Sequence, residues 1–183
     1  MARLIVAGIF CLFSLNLQGG KVPLLPDVIG YIFLLLFFMY WEEKEEDIRL
    51  MDLSRTKMLC GVMILLSAVD FGINTQGISI SSIYIVILEG TLGAFLFYLC
   101  WKAVADGFEE LERKQDVNLK SDGLQKALLG ATLAKVFTLT SLIYGGFLIG
   151  IGVLAIWVTG IIFLICLIRS ERCYAKHREE MKK

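Results

Sequence analysis

The sequence predicts an all-α integral membrane protein in which six transmembrane helices form three helical hairpins. Of its 183 residues, 57% are apolar and 20% are charged, whereas soluble domains are about half apolar and about a quarter charged. The charges occur in blocks, and the apolar stretches between them have about the length that crosses ~30 Å of hydrocarbon at ~1.5 Å per residue. Basic residues also concentrate in alternate blocks, which is typical of chains that cross a membrane repeatedly.

Six apolar stretches predict one span each. The first is short and follows Arg3, so an alternative interpretation is a secretory signal, which also has a positive start and about a dozen apolar residues. No small-x-small cleavage site follows in SLNLQGG, which favours a retained span. The predicted spans are residues 4–18, 24–41, 58–73, 80–105, 124–144 and 146–168.

The distribution of basic residues predicts the topology. Sixteen of the eighteen lie at the start of the chain, in the blocks after Trp41 and Trp101, and in the tail. The positive-inside rule therefore places both termini and two charged loops, about 42–57 and 106–122, in the cytoplasm. The first span then pairs with the second, the third with the fourth and the fifth with the sixth. Residues 1–168 form the transmembrane domain and residues 169–183 a charged cytoplasmic tail.

Two spans share a register that indicates an internal repeat. Gly30 and Gly90 are 60 positions apart, and so are Trp41 and Trp101. Each tryptophan closes an apolar run, which predicts a position in the aromatic belt at the cytoplasmic interface. We expect the repeat to relate the first two hairpins.

Glycines in the last hairpin predict close helix packing. Gly146 and Gly150, in GGFLIGIG, have the G-x-x-x-G spacing that lets two helix backbones approach. Trp157, in the middle of the sixth span, is expected to pack rather than to stack on a ligand.

The stretch VPLLPDVIGY places two prolines and Asp27 at the entrance to the second span. Proline is tolerated in the first turn, where a backbone N–H has no intrahelical partner, and a carboxylate there is favoured by the helix dipole. Lys21 lies in the same outer loop. The two charges predict either a structural cap, with Asp27 paired to Lys21, or the outer mouth of a binding path.

The string LLPDVIGYIF, after a short first segment ending in LNLQGG, resembles the opening of small bacterial polytopic membrane proteins of Gram-positive type, which are largely uncharacterised. The resemblance covers about the first 40 residues. It implies a multi-pass protein of the bacterial cell (inner) membrane. It implies no activity, because none is established for those proteins.

Three ionisable residues lie inside predicted spans: Asp70, Glu89 and Lys135. A charge at mid-membrane costs about 2.5–3.5 kcal/mol on insertion scales, so such groups usually face the bundle interior and find partners. Counted from the span ends at ~1.5 Å per residue, all three fall ~14–18 Å deep. This common depth predicts a Lys135–Glu89 ion pair with Asp70 nearby.

Two interpretations of this polar centre stay open. It is either a buried ion pair that fixes helix register, or a cavity for a small solute or ion in which hydroxyls such as those of Thr91 and Thr138 add hydrogen bonds. No metal or cofactor is expected. The single histidine, His177, lies in the tail, so a histidine-built zinc site is excluded, and no G-x-x-x-x-G-K-[ST] phosphate loop occurs.

For function, the sequence favours a small transporter or solute-binding membrane protein over an enzyme. The alternative is a non-catalytic anchor that docks a protein partner through its charged cytoplasmic helices. A third class, a lipid-directed enzyme, requires Asp70 and Glu89 as an acid/base pair. The expected partners are the lipid bilayer, a small solute or ion and, for the anchor alternative, a cytoplasmic protein. The net charge of zero gives no reason to expect nucleic acid.

Overall fold

The computed structural model describes residues 2–12, 27–44, 53–75 and 83–180. These residues form six α-helices and no strand, so the predicted all-α class is confirmed. Residues 13–18 of the first predicted span lie outside the described residues. In chain order the helices are α1 (Ala2–Leu12), α2 (Asp27–Lys44), α3 (Leu53–Thr75), α4 (Ile83–Gln115), α5 (Ser121–Tyr144) and α6 (Phe147–Glu180).

Two helices are longer than their predicted spans. The 33 residues of α4 continue ten residues past the predicted span, and the 34 residues of α6 continue through the charged tail to Glu180. Each helix is ~50 Å long at ~1.5 Å per residue, well beyond the thickness of a hydrocarbon layer. The acidic-basic segments that follow the fourth and sixth spans are therefore helical extensions.

Helices that follow one another in the chain pack side by side. The predicted hairpin partners α1 and α2, α3 and α4, and α5 and α6 are in contact, and so are α2 with α3 and α4 with α5. In addition, α1 packs against α6, which brings the first and last helices of the chain together. Helices that are consecutive in the chain are thus neighbours in space, and the contact between α1 and α6 links the two ends of this series.

Much of the apolar surface faces outward. Leucine side chains on four helices are more than half exposed, at 68% for Leu65, 73% for Leu88, 60% for Leu133 and 66% for Leu154. A soluble monomer rarely exposes a contiguous apolar surface of this kind. By length and composition, two helices of the described residues could cross a membrane, Ser121–Tyr144 and Phe147–His177, against six spans predicted. Val28–Trp41 and Thr56–Val69 are shorter apolar segments.

The two tryptophans of the predicted repeat lie in the core. Trp41 and Trp101 are 2% and 1% exposed, so both rings pack against protein, and their predicted position at the depth of the cytoplasmic interface stays a prediction. The ring of Trp41 is 5.4 Å from that of Phe108, on the extension of α4, and the ring of Trp101 is 5.3 Å from that of Phe163 on α6. Trp157, which was expected to pack, is 40% exposed.

Close helix contacts occur at glycines other than the predicted G-x-x-x-G pair. Gly146 has a φ of +56° in the turn between α5 and α6, and a Cβ atom on Gly150 would have nothing within 4 Å. A Cβ on Gly152, by contrast, would lie 2.7 Å from Thr138 Oγ1. Gly30 is equally confined, because its Cβ would lie 2.9 Å from the backbone nitrogen of Cys11. These two glycines let α6 approach α5, and α2 approach α1.

Candidate functional site

Lys135 lies where three helices meet. Its side chain extends from α5, its Nζ donates a hydrogen bond to the backbone carbonyl of Cys11 at 2.9 Å, and the same atom lies 4.0 Å from the ring centre of Phe97. Cys11 belongs to α1 and Phe97 to α4. The ammonium of this half-buried residue therefore sits among α1, α4 and α5.

Two attractions hold the ammonium in this place. A hydrogen bond from a charged donor contributes ~1.5–3 kcal/mol, more than a bond between neutral groups. The face of Phe97 adds a cation–π attraction of ~0.5–2 kcal/mol.

The predicted pairing of Lys135 with Glu89 stays a prediction. Glu89 belongs to α4 and Asp70 to α3, but the side chains of both acids lie outside the described residues. The backbone of α4 next to Glu89 does lie close to α5. A Cβ on Gly90, the neighbour of Glu89, would contact Leu139 on α5 at 2.5 Å, and Leu139 is one helical turn beyond Lys135.

The predicted hydroxyls bond mainly within their own helix. Thr138 Oγ1 donates to the carbonyl of Ala134 at 2.8 Å, and Thr140 Oγ1 donates to that of Phe137 at 2.9 Å. This is the usual solution for a hydroxyl on a helix in apolar surroundings, because the carbonyl one turn earlier is always within reach. Thr91, on α4, is half-buried.

The predicted outer mouth is described only in part. α2 is described from Asp27 onward, and the expected place of this acid in the first turn of the second span stays a prediction. Its side chain and the whole of Lys21 lie outside the described residues.

Sequence reasoning did not identify Phe97 or Cys11 as neighbours of Lys135. The sequence did hold a signal that Phe97 shares a helix face with Trp101, because it precedes Trp101 by four residues, just as Phe37 precedes Trp41. The structure shows both phenylalanines beside their tryptophans, with ring centres 6.3 Å and 4.9 Å apart. No side-chain pattern could identify Cys11, since its contribution is a backbone carbonyl.

A second polar region is the hairpin of residues 102–126, where α4 ends and α5 begins, which the sequence predicts to be cytoplasmic. Two residues of its turn, Asp116 and Lys120, adopt left-handed backbone angles. Ion pairs between side chains four residues apart lie along both helices. They are Lys102–Asp106 at 2.8 Å, Glu110–Lys114 at 2.9 Å and Asp122–Lys126 at 2.7 Å.

Glu112 closes this hairpin. Its carboxylate accepts hydrogen bonds from the backbone nitrogen and from the hydroxyl of Ser121, the first residue of α5. A carboxylate at this position satisfies an N–H that lacks an intrahelical partner and favours the positive end of the helix dipole. Gln125 also links α5 to α4, because its Nε2 donates a hydrogen bond to Glu109 Oε2 at 2.6 Å.

Removal of this cap should loosen the hairpin. We expect Glu112→Ala to lower the free energy of unfolding by about 1–2 kcal/mol, the range for a lost helix cap, as measured by denaturation of the purified protein in detergent. Glu110→Ala is the matched control. It removes only an ion pair within one helix, worth at most about 0.5 kcal/mol. Equal losses in the two variants would contradict the capping role.

The hairpin of residues 102–126 also carries two open surface grooves. One has a volume of about 430 Å³ and is lined by residues of the turn, from Glu112 to Asp122. The other, of about 640 Å³, is lined by Asp106, Glu109, Glu110, Glu112 and Arg113 on α4. Neither groove reaches Lys135, so the two polar regions are separate.

Comparison with known proteins adds no relative. No protein-family model matches the chain, and neither a curated protein nor a solved structure is similar to it.

Proposed function

We propose that this chain is a multi-pass membrane protein that binds or transports a small solute or ion at a polar centre around Lys135. The observation that supports the proposal is the inward position of its ammonium, among α1, α4 and α5, where it contacts a carbonyl and an aromatic face. A lysine near a helix end could direct its charge to the interface instead. An ammonium held inside a bundle at membrane depth is a functional-site hypothesis by default.

We further propose that all six helices cross the membrane. The two shorter apolar segments, Val28–Trp41 and Thr56–Val69, each have 14 residues, which span ~21 Å. Short spans are accommodated by local thinning of the bilayer and by flanking polar residues that reach the interface. The first 18 residues of α4 contain one ionisable residue, Glu89, which also supports a span there.

The proposed location is the cell membrane of a bacterium, with the N- and C-termini in the cytoplasm. It is supported by the basic residues of the charged loops and tail and by the resemblance of LLPDVIGYIF to segments of bacterial membrane proteins. The proposed partners are lipid and a small solute or ion, without nucleic acid.

Cysteine labelling in intact cells tests this topology. We expect a membrane-impermeant maleimide to label Tyr144→Cys, at the turn between α5 and α6, because that turn is outside. Asp122→Cys, in the cytoplasmic hairpin, should label only after the cells are permeabilised. Both native side chains are more than three-quarters exposed, so burial does not protect either position. Labelling of Asp122→Cys in intact cells would contradict the proposed orientation.

Access of water to Lys135 tests the proposed site. In a Cys166→Ser/Cys173→Ser background, Lys135→Cys should react with a charged methanethiosulfonate in lipid nanodiscs, because a solute path must be wet. The three other cysteines are buried and can stay. Rates of modification are measured by mass spectrometry, and each variant is first checked for monodisperse elution.

Two control positions bracket the expected rate. Lys126→Cys lies in the cytoplasmic hairpin, where the native side chain is 75% exposed, and should react fast. Leu133→Cys, at an apolar position 60% exposed toward the proposed lipid, should hardly react. A rate for Lys135→Cys close to that of Lys126→Cys supports a solute site. A rate as low as that of Leu133→Cys would mean that Lys135 makes a dry structural contact.

A second candidate function is a membrane anchor that docks a protein partner. The observation that favours it is the ordered cytoplasmic hairpin, which carries both open grooves and several exposed charges. An anchor of this kind needs no water-filled path through the helical bundle. An unreactive Lys135→Cys would therefore favour the anchor over the transporter.

A further inference from the structure

We draw no further inference here: the strongest candidate, the group of buried thiols that Cys11, Cys60 and Cys100 contribute to the core between α1, α3 and α4, carries nothing because the described residues hold no metal-binding group and show no ligand or opening there.

Discussion

Trp101→Ala should destabilise the folded chain by about 3–5 kcal/mol, the usual range for truncating a large buried aromatic residue. Its side chain is 1% exposed. It meets Phe163 of α6 edge-on at 5.3 Å between ring centres, and its far edge would lie 3.6 Å from a Cβ on Gly8 of α1. Truncation would leave a cavity among α1, α4 and α6. The measurement is unfolding by sodium dodecyl sulfate or heat, followed by size-exclusion chromatography.

Two controls separate ring packing from other roles of the tryptophan. Trp157→Ala removes the same side chain from a position 40% exposed, so we expect it to cost less than about 1 kcal/mol. Trp101→Phe should cost less than Trp101→Ala, at about 1–3 kcal/mol, because it keeps a benzene ring and leaves only part of the indole volume empty. Within the described part of the chain, the Trp101 indole N–H has no hydrogen-bond acceptor to lose. Equal losses for the two alanine variants would show that Trp101 is not part of the core.

Gly152→Ala should separate α5 from α6. A Cβ at this position would lie 2.7 Å from Thr138 Oγ1 and 3.0 Å from Thr138 Cα. The second distance matters more, because a backbone atom cannot rotate away as a side chain can. We expect a loss of about 1–3 kcal/mol, as for other overpacked contacts, in the same unfolding measurement.

Gly150→Ala is the matched control on the same helix. A Cβ at position 150 would have nothing within 4 Å, so alanine adds no clash. It should instead raise stability by up to about 1 kcal/mol, since glycine is the weaker helix former. The two variants are therefore expected to change stability in opposite directions. If Gly150→Ala were the more harmful variant, the G-x-x-x-G prediction from the sequence would be right and the observed contact would be wrong.

The helical class of the chain was predictable because it depends on local properties. Long apolar runs without an interior proline are visible in the sequence, because Pro26 stands at the entrance of its predicted span. The described residues are helical outside short turns. The number of membrane crossings was less predictable than the helical class. Two helices of the described residues are long and apolar enough to cross a membrane, and the other predicted crossings remain proposals.

The environment of the tryptophans was not predictable from their own spans. A tryptophan at the end of an apolar run suits the membrane interface and a protein core equally well. Trp41 lies in the protein core because the extension of α4 places the ring of Phe108 5.4 Å from its own ring. Phe108 packs in turn on Tyr174 of α6. These neighbours belong to segments that the sequence predicted to be a charged loop and a charged tail, so a role in the core was not expected of them.

The contacts of Lys135 with Cys11 and Phe97 were hidden for a related reason. Sequence reasoning pairs a buried cation with an acid, here Glu89, because carboxylates can be read from the sequence, and this pairing stays a prediction. A backbone carbonyl cannot be read in this way, because every residue carries one and only tertiary packing selects which one the cation meets. The glycines show the same limit. Gly146 has the right spacing for packing, but its positive φ serves a turn.

The bond between Lys135 and Cys11 joins residues 124 positions apart in the chain, and this has a consequence for biogenesis. During synthesis α1 leaves the ribosome 124 residues before Lys135 does, and α6, which also packs against α1, emerges later still. Until then the Cys11 carbonyl lacks its bond to the ammonium. α1 thus reaches its final surroundings only after α5 and α6 are made, so nascent chains truncated before α5 should be recognised by quality-control proteases.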